Sequence, residues 1–203
     1  MQECNNVRRT GATPDAGVEA NARLTGSIAV VLLALLAADF ATGLIVRRVL
    51  LSHALIGFLL IPAVLLKLGS VAYRFIRYDT GDRRFRIAGP PRLLARLLGP
   101  VSVLLTIVVF GTGLELWLFG YRFGFVWAPL HHASSYLWFA AMAIHVITYW
   151  RRAPQLTLAD WRDHLGGAVA RRSLVVGSLL LGAVLAIALL PFPTPFALPS
   201  GGG

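Results

Sequence analysis

Five apolar stretches, separated by arginine-rich connections, dominate the chain at 26–46, 50–71, 100–119, 128–150 and 173–190. Each is close to the roughly 20 residues that a helix needs to cross a bilayer. None alternates apolar with polar residues at period two, so a strand reading fails. Backbone groups in hydrocarbon must be satisfied within their own segment, which predicts five helices. Pro62 predicts a kink in the second. No internal repeat is evident at a fixed period. The expected fold class is all-α and integral to the membrane: five transmembrane helices, four forming a bundle and one C-terminal. In this reading residues 1–24 are a disordered cytoplasmic tail, 25–191 the membrane domain and 192–203 a short outer tail. The first segment does not lead a basic region directly into a short apolar one, so it is not read as a signal peptide.

Composition agrees. The 203 residues are 57% hydrophobic and 14% charged, against roughly 25% charged in a soluble domain. Little length remains for a water-soluble catalytic domain. The single cysteine, Cys4, excludes a disulfide framework, a cysteine-held iron–sulfur cluster and c-type haem attachment. No Walker loop, H-E-x-x-H or G-x-S-x-G run appears, so neither nucleotide binding nor hydrolysis is indicated.

The net charge of +10 changes the picture only through its placement. Eighteen of the nineteen basic residues are arginines, and they lie between the apolar stretches rather than in a nucleic-acid patch. Fifteen fall in the N-terminal tail and in the connections after the second and fourth stretches. Only Arg47, Arg48 and Arg122 fall on the other side. The arginine-rich side is therefore cytoplasmic, with the N-terminus inside and the C-terminus outside. Tyr121, Trp127, Tyr149 and Trp150 fall at the expected interfaces, where amphipathic rings belong.

Ionisable side chains inside spans are costly and mark candidate sites. His53 opens the second span at its outer end, and His131 lies near the outer end of the fourth. Both spans run outside to inside, so the two imidazoles stand at similar depth. Two imidazoles on neighbouring helices can fill both axial positions of a haem iron, which would make the bundle a haem-binding one. His145 is fourteen residues after His131, about 40° short of four full turns, so it shares that face some 21 Å lower. Trp138 lies on the same face. His132 is turned about 140° from His145 and points to the interface or the haem edge. Lys67 repeats the fourteen-residue spacing from His53 and stands at the depth of His145, where a propionate, a quinone or the inner headgroups are candidate contacts. Gly57, one turn after His53, would let a porphyrin approach the backbone. Arg47, Arg48 and Arg122 are candidate propionate partners. Asp39 and Glu115 read either as buried acids paired to a neighbouring helix or as part of a proton path. Gly111 and Gly113 read as close-packing positions, and His164 as a structural loop residue. One haem b is favoured over two, because a charged Lys67 cannot ligate iron.

The pattern resembles the b-type cytochrome subunits of formate dehydrogenase and nickel–iron hydrogenase, helical bundles with two stacked haems. That resemblance implies an outer haem held by His53 and His131 and an inner one on His145. No histidine occurs at 21–27, where that family's remaining inner ligand would fall. A second likeness is to bacterial cytochrome b561-like membrane domains associated with periplasmic molybdopterin oxidoreductases. It rests on Lys67-Leu68-Gly69-Ser70, Arg77-Tyr78-Asp79-Thr80-Gly81-Asp82, Gly89-Pro90-Pro91, Leu130-His131-His132-Ala133-Ser134, Trp138-Phe139 and His145-Val146. It covers 52–150, about half the chain. The resemblance implies an electron-transfer subunit in the bacterial inner membrane, rather than a complete enzyme. Its substrate would be quinone, and a separate outer-face redox protein, such as a molybdopterin oxidoreductase, would be its partner.

Overall fold

The computed structural model describes residues 15–88, 93–123, 125–162 and 165–190; the outer-tail expectation for 192–203 and the reading of His164 lie outside them. Among the described residues the secondary structure is helical throughout: α1 (Ala16–Leu44), α2 (Val46–Asp79), α3 (Arg83–Ile87), α4 (Leu93–Phe119), α5 (Trp127–Tyr149), α6 (Arg152–Arg162) and α7 (Ala168–Leu189). Four of them, α1, α2, α4 and α7, are long and apolar enough to cross a membrane. The chain is thus an all-helical protein with the helices of a membrane protein. α5 has 23 residues, enough to span by length. Its three histidines, two serines and two tyrosines leave it outside those four.

α1 begins well before its expected start. Asp15 caps it, accepting from the Gly17 N–H at 2.9 Å. Residues 16–24, expected in the tail, are therefore helical; residues 1–14 lie outside the described ones. The backbone of α2 breaks not at Pro62 but at Val49 (φ −133°, ψ 34°), four residues before His53. Dihedrals stay helical through Pro62, which is buried.

The fold is two antiparallel hairpins, α1–α2 and α4–α5, with α7 laid along α2. Ile28, Leu32, Leu60, Ala63, Val64 and Val175 form the main core where α1, α2 and α7 meet. Gly182 lets α7 approach closely, since a Cβ there would lie 2.8 Å from the Cα of Leu59. The hairpins meet through aromatic edges: Phe58 on Trp117 at 5.7 Å and Phe40 on Phe139 at 5.0 Å between ring centroids.

At the arginine-rich end an unexpected amphipathic helix, α6, packs on α1. Gly26 makes room for it, because a Cβ there would come within 2.7 Å of Leu156 Cβ. Asp160 is 1% exposed and is clamped by Arg171, whose Nε donates to Oδ1 at 2.8 Å. Arg172 donates to the Asp160 carbonyl at 2.6 Å, and Arg23 to the Ala159 carbonyl at 2.8 Å. Arg23 and Arg171 are thus buried and partnered within the protein.

Candidate functional site

His53 and His131 are held by the same local construction. Thr42, near the end of α1, spends its hydroxyl proton on the Ala38 or Asp39 carbonyl, each 3.0 Å away. Its oxygen is left to accept, and His53 Nδ1 lies 3.4 Å from it. Asp39 Oδ1 stands 3.2 Å from the same Nδ1. On the other hairpin, Thr112 gives its proton to the Val108 carbonyl at 2.7 Å, and His131 Nδ1 lies 3.0 Å from Thr112 Oγ1. The Val109 carbonyl, which can only accept, is 3.1 Å from that Nδ1.

These partners fix the tautomers. Each Nδ1 faces acceptors and so carries the proton, which leaves Nε2 as the lone-pair nitrogen of each ring. Neither Nε2 has a hydrogen-bond partner among the described residues. A metal-bound imidazole is held in this way, with its other nitrogen donating to a carbonyl, hydroxyl or carboxylate. Two neutral imidazoles on different helices make a donor set that suits the axial positions of a haem iron. Glycine opens the surroundings. A Cβ at Gly57, one turn below His53, or at Gly111 would meet no atom within 4 Å. Gly113 is required differently, since a Cβ there would sit 3.0 Å from His131 Cε1.

A short correspondence links the hairpins: Ala41-Thr42-Gly43-Leu44 on α1 and Gly111-Thr112-Gly113-Leu114 on α4. In each, the threonine backs a histidine on the next long helix and the glycine lies against its ring. This is the feature that sequence reasoning missed. The repeated Thr-Gly-Leu is the signal that could have found it, but it is too short to stand out without the contacts.

The other candidates fall into place around this pair. His132 is exposed, its ring 6.5 Å from that of His131. Trp138 shares the His131 face, which packs on α4: its Nε1 donates to Thr106 Oγ1 at 2.8 Å and it is 2% exposed. Arg47 and Arg48 are exposed in the first turn of α2, and Arg122 is exposed over the Phe123 ring at 6.0 Å. Asp39 is buried, with its Oδ1 directed across to His53 on α2. Both Glu115 carboxylate oxygens and Trp127 Nε1 are covered without a hydrogen-bond partner among the described residues.

At the opposite end Lys67 donates from Nζ to the Thr25 carbonyl at 2.7 Å, within a cluster in which Thr25 also donates to Ser70 Oγ at 3.0 Å. His145 is half-buried on α5. No group of three or more His, Cys, Asp or Glu able to hold a bare metal ion occurs among the described residues. No family model, curated protein or solved structure matches the chain.

Proposed function

We propose that this chain is a b-type cytochrome that carries electrons in the bacterial inner membrane between quinone and a redox protein on the outer face. The observation that carries the reading is the matched pair His53 and His131. Each Nδ1 is engaged by acceptors on the preceding hairpin helix, and each Nε2 is left for a ligand. The haem, when bound, supplies the one-electron couple. The protein's part is to present two neutral imidazoles, hold their rotation from Thr42 and Thr112, and line the site with apolar helices that exclude water. In this reading α5 is a fifth span despite its histidines, and His131 turns its free nitrogen to the cofactor rather than to lipid. Arg47, Arg48 and Arg122 lie on the same outer side, at the level where propionates would need cations.

A single haem is the proposed content. Lys67 is already committed to the Thr25 carbonyl, so it is not offered as an axial partner beside His145. His145 then serves as a packing residue or a quinone contact. The fifteen arginines on the other side set the orientation, with the N-terminus cytoplasmic. The test is a visible spectrum of the purified protein before and after dithionite, with haem extracted and counted against protein. A reduced low-spin spectrum at about one haem per chain is expected. A colourless protein would favour the alternative of a non-redox membrane protein, such as a small transporter or assembly factor. A ratio near two, falling to one in His145→Ala, would restore the inner haem.

A further inference from the structure

The two histidine seats differ in the residue one turn before the threonine. Three residues before Thr42 stands Asp39, and three residues before Thr112 stands Val109. His131 Nδ1 therefore meets only neutral acceptors, the Val109 carbonyl and the Thr112 hydroxyl. His53 Nδ1 meets a carboxylate oxygen at 3.2 Å. Asp39 is 8% exposed, and its Oδ1 has no aligned hydrogen bond although His53 stands beside it. A buried carboxylate oxygen in that condition carries an unmet desolvation cost, and a turn of the adjacent imidazole would meet it.

We infer that Asp39 is a positioning residue that holds the His53 ring through Nδ1, makes its Nε2 the more basic of the two axial nitrogens, and thereby lowers the midpoint potential of the site. The inference rests on the haem reading above. Its physical content is twofold. A carboxylate behind an imidazole raises the basicity of the nitrogen facing the metal and fixes ring orientation. Negative charge held close to the iron in a low-dielectric region also favours the oxidised form, because that form carries one more positive charge. The other hairpin is the built-in control, with a valine at the same position and a peptide carbonyl as acceptor.

The experiment compares haem-loaded wild type with Asp39→Asn, Asp39→Val and Asp39→Glu by mediated redox titration and by electron paramagnetic resonance of the ferric form. Asp39→Asn keeps the shape and removes the charge, while Asp39→Val copies the other hairpin. Both should raise the midpoint, changing the ratio of reduced to oxidised haem at fixed potential at least threefold; that is ~28 mV at 59 mV per decade for one electron. Asp39→Glu should return most of the shift, and the ferric g values should move in Asn and Val but not in Glu. Unchanged midpoint and g values in Asp39→Asn and Asp39→Val, with haem bound, overturn the inference and leave the haem reading intact. Haem lost from Asp39→Asn and not restored by Asp39→Glu also overturns it, since a purely structural role would do the same. Haem lost from Asp39→Asn but restored by Asp39→Glu supports it. A wild-type protein that binds no haem overturns the parent reading and this one together.

Discussion

The α1–α2 and α4–α5 hairpins solve one problem with different materials. Each places a histidine in the N-terminal half of its second helix and backs it with a Thr-Gly pair on its first. In α4–α5 the seat is tight: Thr112 Oγ1 lies 3.0 Å from Nδ1 and a Cβ at Gly113 would be 3.0 Å from the ring. In α1–α2 the seat is looser, with the threonine at 3.4 Å and a Cβ at Gly43 at 3.5 Å. There a carboxylate adds the charge that the backbone carbonyl lacks. One imidazole thus has two close neutral acceptors and a tight glycine, and the other a longer threonine contact and a carboxylate oxygen.

The largest effect should come from removing either ring. His53→Ala or His131→Ala should abolish low-spin haem absorbance while the chain still inserts into the membrane; full absorbance in either variant would break the pairing of the two hairpins. His132→Ala should leave most of the spectrum, since its ring is exposed.

Next in size is the inner clamp, where polar groups are satisfied by protein rather than left for a ligand. Asp160→Ala strands Arg171, 6% exposed, without its carboxylate. Breaking a buried pair costs about 3–5 kcal/mol. Denaturation in detergent should therefore shift strongly, with the midpoint potential of any remaining folded protein unchanged. A changed potential at wild-type stability would show that the two ends are not independent.

A smaller effect sharpens the comparison of the seats. Gly113→Ala must push the His131 ring, whereas Gly43→Ala meets His53 at ordinary van der Waals distance. Overpacking a tight site costs about 1–3 kcal/mol. Gly113→Ala should accordingly lower haem occupancy and Gly43→Ala should not. Equal losses in both would mean that the seats are equally tight. The smallest effects belong to Arg47→Gln, Arg48→Gln and Arg122→Gln, because all three side chains are exposed to solvent. Each should shift the midpoint by less than Asp39→Asn does, and three unchanged potentials would remove these arginines from the site.

Much of this is legible in the amino-acid sequence itself. Spans of about 20 apolar residues can only be helices in lipid, and the arginine asymmetry carries the expected orientation. The rarity of ionisable groups in such spans singles out His53, His131, His145, Lys67, Asp39 and Glu115. Local chemistry also explains the start of α1, since Asp15 is a good N-cap, although Glu19, Asn21 and Arg23 interrupt the apolar run there and hide it. Only the tertiary structure decided what those groups touch. Helices that are apolar on most sides carry little periodicity to fix their rotation against a neighbour. The contacts Asp39 to His53, Thr112 to His131 and Lys67 to Thr25 depend on that rotation and on the register between helices. α6 is the same lesson outside the apolar stretches. Its eleven residues, opening with charge and Pro154, are marginal as a helix alone. Gly26, Arg23 and Arg171, distant in sequence, supply the surface and hydrogen bonds that hold it.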